Sequence, residues 1–79
     1  MELEIKRGPR GFYIGDEHHP SAEILFEENA KEFIIYHTEV QPVLSGQGIG
    51  KKLVNLVTEE AKKANKPIIS YCSYADKVL

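Results

Sequence analysis

The sequence has little of several features that would mark a particular class of protein. It holds one cysteine, Cys72, and no tryptophan in 79 residues. A lone cysteine cannot form an internal disulfide, and no Cys and His residues stand at the spacing of a structural metal site. We therefore expect neither a disulfide within the chain nor a bound metal.

An excess of charge and long apolar stretches are also missing. The formal net charge is −2, so the chain has no basic field and nucleic acid is not an expected partner. No apolar run approaches the roughly 20 residues of a membrane-spanning helix, and the first residues, MELEIKRG, are charged from the second position. The sequence thus predicts no membrane contact and no signal peptide, and it favours a cytoplasmic location.

The chain is short enough to limit its own stability. A hydrophobic content of 42% and a charged content of 28% are typical of a globular protein, here one domain over residues 1–79. A domain of this size buries little surface, so a bound ligand or partner would stabilise it. We expect a monomer.

The first half of the sequence has the alternation and the residue types of β-strands. Short turns rich in Gly, Pro, Asp and Asn separate the apolar segments, and the fourth segment is the longest and richest in β-branched and aromatic residues. The predicted strands cover residues 2–6, 12–15, 22–27 and 32–40. Strands joined by such short connections predict a four-stranded antiparallel meander.

The second half changes to a helical period. Apolar residues at helical spacing are Ile49, Leu53, Leu56, Val57, Ala61 and Ala64. Asn65 and Pro67 predict the end of this helix, and residues 68–72 predict a short buried fifth strand. A strand–helix–strand crossover makes the fifth strand parallel to the fourth, so the predicted class is α+β. Residues 73–76, Ser-Tyr-Ala-Asp, have the capping-box pattern of a short C-terminal helix.

Gly46, Gly48 and Gly50 lie between the fourth strand and the helix. Glycines allow backbone N–H groups to converge on an anion, and a helix N-terminus favours negative charge, so this turn predicts a phosphate site. A Walker A loop does not fit, because the glycine spacing is one residue short and Lys51 is not followed by Ser or Thr. A dinucleotide fingerprint does not fit either, because the third glycine comes one position early. The other interpretation is a tight loop that lets the helix pack on the sheet.

Residues 40–54, VQPVLSGQGIGKKLV, resemble the acetyl-CoA-binding motif of the GNAT superfamily of N-acetyltransferases. The family pattern, Gln/Arg-x-x-Gly-x-Gly/Ala, falls on residues 45–50, where Ser45 replaces the Gln or Arg and the two glycines match. HTEV at 37–40 and CSY at 72–74 resemble segments of a small one-domain branch of that superfamily. The resemblance implies a minimal GNAT-like fold that binds acetyl-CoA.

The resemblance also implies where CoA lies. Its pyrophosphate would accept hydrogen bonds from the backbone at the start of the helix, and its pantetheine arm would enter a gap between the splayed fourth and fifth strands. The backbone N–H near Val40 would then face the thioester carbonyl and stabilise the oxyanion. Lys51 contributes either a phosphate contact or only a solvated helix face. The residues expected at the cofactor are Thr38, Glu39, Val40, Ser45, Gly46, Gln47, Gly48, Ile49, Gly50, Lys51, Ser73 and Tyr74.

Two residues are candidates for catalysis. Cys72 would lie at the splay point as an acetyl-accepting nucleophile or as part of the thioester pocket, and the alternative is a small buried hydrophobe. His37 could take the proton of an amine, although a histidine in an apolar strand is commonly structural. Tyr74 is a candidate proton donor to the departing thiolate, with packing as its alternative role.

The expected activity is transfer of an acetyl group from acetyl-CoA to an unidentified amine, directly or through Cys72. Typical members of the superfamily are longer and carry helices between the first two strands, where residues 8–11 leave room only for a turn. The sequence therefore does not identify the acceptor. Two alternatives are a non-catalytic acyl-CoA-binding module that acts as a sensor and a small interaction domain without a ligand.

Overall fold

The fold is a mixed five-stranded sheet with one long helix. The computed structural model describes residues 4–44 and 46–72. The elements are β1 (Ile5–Arg7), β2 (Gly11–Gly15), β3 (Pro20–Glu28), β4 (Phe33–Val40), a 3₁₀ turn (Pro42–Leu44), α1 (Ile49–Ala64) and β5 (Ile68–Ser70). The strands lie in sequence order, antiparallel from β1 to β4, with β5 parallel to β4. This confirms the predicted α+β arrangement, while the predicted C-terminal helix lies outside the described residues.

Helix α1 ends where the sequence predicts. It begins at Ile49, so Gly50 lies in its first turn rather than ahead of the helix as predicted. At its C-terminus Asn65 adopts a left-handed conformation with φ of 57°. The N–H of Asn65 then donates to the carbonyl of Lys62 (3.1 Å), and the N–H of Lys66 donates to that of Ala61 (2.9 Å). These bonds satisfy carbonyls that the helix leaves unpaired, so the chain can turn directly into β5.

The hydrophobic core lies between α1 and one face of the sheet. Alternate residues of β2, β3 and β4 point toward the helix, because side chains of a strand alternate between its two faces. The buried residues are Ile14, Ala22, Ile24, Phe26, Phe33, Ile35, Leu44, Ile49, Leu53, Val54, Val57 and Ala61. The opposite side of the sheet, called the open face below, is covered by no helix in the described part of the chain.

A row of stacked aromatic rings runs across β2, β3 and β4. The rings of Phe12 and Phe26 stack at 5.6 Å between centroids, and those of Phe26 and Phe33 at 5.9 Å. The guanidinium of Arg7 lies 5.1 Å from the Phe12 ring and 5.2 Å from the Phe26 ring, and it forms an ion pair with Glu60 of α1 at 2.9 Å. Arg7 thereby joins the short edge strand β1 to the helix.

Strand β5 ends at Ser70, two residues earlier than predicted. The Ser70 hydroxyl donates to the carbonyl of Cys72 (2.9 Å) and accepts a hydrogen bond from the N–H of Cys72 (3.2 Å). A side chain that occupies both backbone groups of a nearby residue offers the chain an alternative to the sheet ladder. This local bonding ends the strand just before the cysteine.

No helix in the described ranges is long and apolar enough to cross a membrane. Within the same ranges, no group of three or more His, Cys, Asp and Glu side chains is arranged to hold a metal ion.

Candidate functional site

The site is built where β4 and β5 part. Their pairing covers Phe33–Ile35 of β4, and the last bond between them is from the N–H of Tyr71 to the carbonyl of Ile35 at 2.8 Å. Beyond that point β4 continues to Val40, bonded to β3 on one side only among the described residues. The second half of β4 therefore offers a free strand edge.

A β-bulge in β4 decides which side chains line this edge. Ile35 pairs with Phe26 and His37 pairs with Leu25, so Tyr36 is an extra residue without a partner in the register. An extra residue reverses the alternation of every side chain that follows it. Phe33 and Ile35 face the core, and after the bulge it is the even-numbered residues that do so.

A cleft of about 310 Å³ separates the second half of β4 from the start of α1. Thr38 and Val40 form one wall, since their register partners, Ile24 and Ala22, are buried residues on the helix side of the sheet. The other lining residues are Leu44, Gly46, Gly48, Ile49 and Gly50. The structure thus brings six of the predicted cofactor residues together around one cleft.

The glycine turn presents the start of α1 to this cleft. Gly46 and Gly48 have φ of 81° and 70°, a conformation that favours glycine, and a Cβ built at either position would meet nothing within 4 Å. Gly48 is the N-cap and provides no side-chain hydrogen bond, and the first turn contains no acidic residue. The described helical bonding starts with the N–H of Lys52 and the carbonyl of Gly48 (3.1 Å). Among the described residues, the amides before Lys52 and the positive end of the helix dipole therefore have no side-chain cap.

Thr38 contributes a polar atom to the wall of the cleft. Its hydroxyl oxygen is buried and has no hydrogen-bond partner among the described residues. A buried hydroxyl without a partner costs free energy, and a ligand amide could supply that partner after a small rotation of the side chain. A strand edge, a buried hydroxyl and a row of N–H groups together fit a ligand with amides at one end and phosphates at the other.

His37 and Glu39 lie on the open face rather than in the cleft. Their side chains are 52% and 61% exposed, and His37 Nε2 lies 3.8 Å from Glu39 Oε2. The imidazole and the carboxylate are therefore neighbours on one exposed surface. Glu39, expected at the cofactor, can reach the cleft only through its backbone, because its side chain points to the other face.

Cys72 lies on the helix side of the sheet. It is half-buried and packs against the core, whereas its neighbour Tyr71 is 71% exposed. Tyr71 and Cys72 thus lie on opposite sides of the sheet, as the alternation of a strand requires. The two predicted catalytic residues, Cys72 and His37, are accordingly on different sides of the sheet.

The remaining predicted site residues fall in two groups. Gln47 and Lys51 are exposed at the glycine turn and at the first turn of the helix. Ser45, Ser73 and Tyr74 lie outside the described residues, so their predicted contacts stay predictions.

Sequence reasoning missed three residues near the site. Leu44 lines the cleft because the 3₁₀ turn Pro42–Leu44 buries its side chain, and an apolar residue just before a glycine turn was the available signal.

Tyr36 and Tyr71 stack across the point where β4 and β5 part, with ring centroids 6.1 Å apart. The Tyr36 hydroxyl donates to Glu27 at 2.9 Å, and this hydrogen bond raises the pKa of Tyr36. No sequence signal marks that pair, because it depends on the bulge and on the register of β5.

Comparison with known proteins agrees with this geometry. The model of the GCN5-related N-acetyltransferase family matches residues 11–79. The chain belongs to that family, whose members transfer acyl groups and generally use acetyl-CoA with an acceptor substrate. No curated protein matches the sequence.

Solved structures show the same fold. A GCN5-like protein of Staphylococcus aureus, described as a candidate N-acetyltransferase and solved by NMR, is 48% identical with a TM-score of 0.77, over 92% of this chain and 74% of its own. The ribosomal-protein-alanine N-acetyltransferase of Brucella melitensis biovar Abortus is 13% identical with a TM-score of 0.65, over 77% of this chain and 51% of its own. An integron cassette protein from the Cole Harbour Salt Marsh metagenome is 11% identical with a TM-score of 0.61, over 85% and 49%. The last two likenesses concern the fold alone.

Proposed function

We propose that this protein binds acetyl-CoA in the cleft between β4 and α1 and transfers its acetyl group to an amine. One observation carries the proposal: a strand edge leads, through a left-handed glycine turn, to a helix N-terminus, and in the described part of the chain neither the edge has a strand partner nor the N-terminus a side-chain cap. A strand edge can pair with the amides of the pantetheine arm of CoA. A helix N-terminus without a cap can bind its pyrophosphate. Family membership supports the same ligand.

The residues proposed to hold the cofactor combine those that line the cleft with those that the family motif implies. Backbone amides of residues 46–51 would receive the pyrophosphate, and the exposed side chain of Lys51 would add a positive charge there. Residues 38–40 of β4 and the Thr38 hydroxyl would receive the amides of pantetheine. Ser45, Ser73 and Tyr74 complete the proposed set.

The chemistry divides between the two faces of the sheet. The bound thioester supplies a carbonyl carbon that an amine can attack, with a thiolate as the leaving group. His37, exposed on the open face beside Glu39, would accept the proton that the amine loses. The N–H near Val40 would stabilise the oxyanion, and Tyr74 would return a proton to the thiolate. Cys72, on the cofactor side, either lines the thioester pocket or carries the acetyl group briefly as a thioester.

Titration with CoA and acetyl-CoA, followed by backbone amide chemical shifts, tests the ligand. We expect saturable shifts at residues 46–51, at 38–40 and at Cys72. Amides of the glycine turn that stay unchanged at millimolar ligand would overturn the cofactor assignment.

A matched pair of threonine variants tests the cleft wall. Thr38→Val removes the buried hydroxyl and keeps the shape, so we expect CoA to bind about three- to tenfold more weakly. Thr58→Val is the control, because the Thr58 hydroxyl donates to the Val54 carbonyl (3.0 Å) within α1, away from the cleft. Equal dissociation constants for the two variants would remove Thr38 from the ligand site.

Mass measurement after incubation with acetyl-CoA tests the covalent route. An acetyl group on Cys72 that is lost on adding an amine is expected if the cysteine carries it. A Cys72→Ala protein that acetylates an amine at the wild-type rate would leave only the direct route.

A binding module without turnover is the second candidate function. The observation that favours it is the placement of His37 and Cys72 on opposite faces of the sheet, so that they do not act as one catalytic pair. Release of CoA thiol in the presence of a panel of amines separates the two functions. Tight acetyl-CoA binding with no amine-dependent thiol release would identify the module.

A further inference from the structure

Two stacked tyrosines, Tyr36 and Tyr71, lie on the open face where β4 and β5 part. Each directly follows the last register pair of the two strands, Ile35 with Ser70. Their ring centroids are 6.1 Å apart with an interplanar angle of 30°, and the N–H of Tyr71 donates to the carbonyl of Ile35 at 2.8 Å. This tyrosine pair therefore extends the contact between the strands by one residue beyond their register.

Tyr36 also contacts a third strand. The bulge leaves Tyr36 without a register partner on β3, so the backbone ladder does not fix its orientation. Its hydroxyl instead donates to Glu27 of β3 at 2.9 Å. A single side chain thus contacts β3 through its hydroxyl and the end of β5 through its ring.

The end of β5 is held from the other side of the sheet as well. Cys72 packs against the core, and the Ser70 hydroxyl bonds to both backbone groups of Cys72, at 2.9 Å and 3.2 Å. Tyr71 lies between these two residues, with its ring on the open face. The point where β4 and β5 part is therefore determined by side-chain contacts on both faces rather than by the ladder alone.

That point decides how much of the β4 edge is available to a ligand. The edge beyond it includes residues 38–40, and Thr38 and Val40 form a wall of the cleft. If β5 paired further along β4, it would cover part of this edge. If β5 parted earlier, the edge would lose the neighbour that holds it in place. Either change would alter the backbone groups that a ligand amide pairs with.

We propose that Tyr36 and Tyr71 are positioning residues for the acetyl-CoA cleft: their stacked rings, held to β3 by the bond to Glu27, fix where β4 and β5 part. The pair acts through the backbone of β4 and touches no part of the cofactor, because the rings lie on the face opposite the cleft. This inference rests on the proposed binding of acetyl-CoA. It adds two residues on the far side of the sheet to those that determine its affinity.

Two ligands separate the pantetheine end of the cleft from the phosphate end. CoA has both parts, whereas ADP has the pyrophosphate without the pantetheine arm. Tyr71→Leu should weaken CoA binding about two- to tenfold, since the ligand must then order the strand ends that the ring pair holds now. The same variant should leave the dissociation constant of ADP unchanged. Equal changes for the two ligands, or no change for CoA, would overturn the proposal.

Matched variants show whether the ring is the cause. Tyr71→Phe keeps the ring and should bind CoA as the wild type does, and a loss equal to that of Tyr71→Leu would contradict the stacking. Tyr13→Leu is the control for the same face, because Tyr13 lies on β2, two strands away from the tyrosine pair. It should bind both ligands normally.

A double-mutant cycle shows whether the two tyrosines act as a unit. Tyr36 is 47% exposed, so its replacement removes little of the core. Tyr36→Leu should weaken CoA binding as Tyr71→Leu does, and the double variant should be no weaker than either single variant, because both changes break one contact. Losses that add in the double variant would overturn the pair as a single positioning device.

Hydrogen exchange tests the geometry without any ligand. In Tyr36→Leu the amide of Tyr71, bonded to Ile35, should exchange about two- to tenfold faster. The amide of Phe33, which donates to the Pro67 carbonyl (2.9 Å) at the other end of the same strand pair, is the internal control and should exchange at the wild-type rate. Equal acceleration of both amides would show a general loss of stability and overturn the local role.

Failure of this inference is distinguishable from failure of the proposed function. Wild-type protein whose glycine-turn amides ignore CoA would overturn the cofactor assignment and, with it, the positioning role. Wild-type protein that binds CoA, together with a Tyr71→Leu variant that keeps the wild-type ratio of CoA to ADP affinity, would overturn the positioning role alone.

Discussion

Gly48 has a backbone conformation that most residues avoid, at the position where α1 begins. Left-handed backbone costs an L-residue roughly 1–2 kcal/mol, and asparagine tolerates it better than alanine does. We expect Gly48→Ala to lower the free energy of unfolding by about 1 kcal/mol and Gly48→Asn to lower it less. Urea denaturation of both variants measures this. Equal losses would show that the backbone angle is not the cause, because the space around a Cβ at this position is open.

Asp16 gives the fold a dependence on pH. Its carboxylate accepts a hydrogen bond from the N–H of His18 at 2.8 Å, and this bond is the main reason that the pKa of Asp16 lies below its ordinary value of 3.8. A carboxyl group with a lowered pKa stabilises the fold fully above its ordinary pKa and loses that contribution as the pH falls through the lowered pKa.

Asp16→Asn should therefore remove a stabilisation that depends on pH. We expect the wild type to be more stable than the variant at pH 7, and this difference to shrink as the pH falls below about 4. Chemical denaturation at a series of pH values checks the prediction. Parallel stability curves for the two proteins would contradict it.

At the scale of elements, helix α1 is held to the sheet by its apolar side. Leu53, Val54 and Val57 are fully buried in the middle of the helix, over β3 and β4. Leu53→Ala should destabilise the protein by about 3 kcal/mol, through lost burial and the cavity that remains. Asn55→Ala, on the exposed side of the same helix, should change stability by less than about 0.5 kcal/mol. Denaturant midpoints of the two variants measure the contrast, and similar midpoints would contradict the packing.

Strand β4 shows why an element can be predicted while its faces cannot. Its existence and approximate limits follow from residues 32–40, which are rich in β-branched and aromatic side chains. Regular alternation would place His37 on the same side as Phe33 and Ile35. The bulge at Tyr36 reverses this and turns Thr38 and Val40 toward the cleft. Whether a strand accommodates an extra residue depends on its partner β3, which is not encoded within β4.

At the scale of the whole molecule, a chain of 79 residues buries little surface and has little stability in reserve. A ligand at a concentration of 100 times its dissociation constant adds about 2.7 kcal/mol. If CoA binds as proposed, its addition should raise the melting temperature by on the order of 10 °C. Thermal scans with CoA and with pantetheine, which lacks the phosphates, measure the effect. Equal shifts with the two ligands would show that the helix N-terminus does not bind the pyrophosphate.

The sequence by itself determined the order of the elements, the C-terminal end of α1 and the glycine turn. Each of these depends on local physics: the period of apolar residues, the conformations open to glycine and asparagine, and the polarity of a helix. The likeness of residues 40–54 to the GNAT motif likewise resides in a continuous segment.

Only the tertiary structure decided which residues share a surface. The bulge in β4 placed His37 on the open face, whereas Cys72 packs against the core on the other side. The parting of β4 from β5 brought Tyr36 against Tyr71, and the register set Glu23 beside Glu39. These juxtapositions join residues that are far apart in the chain, and a register shift of one residue would undo them. The ligand loop could therefore be predicted from local sequence, whereas the arrangement of side chains on the open face exists only in the assembled sheet.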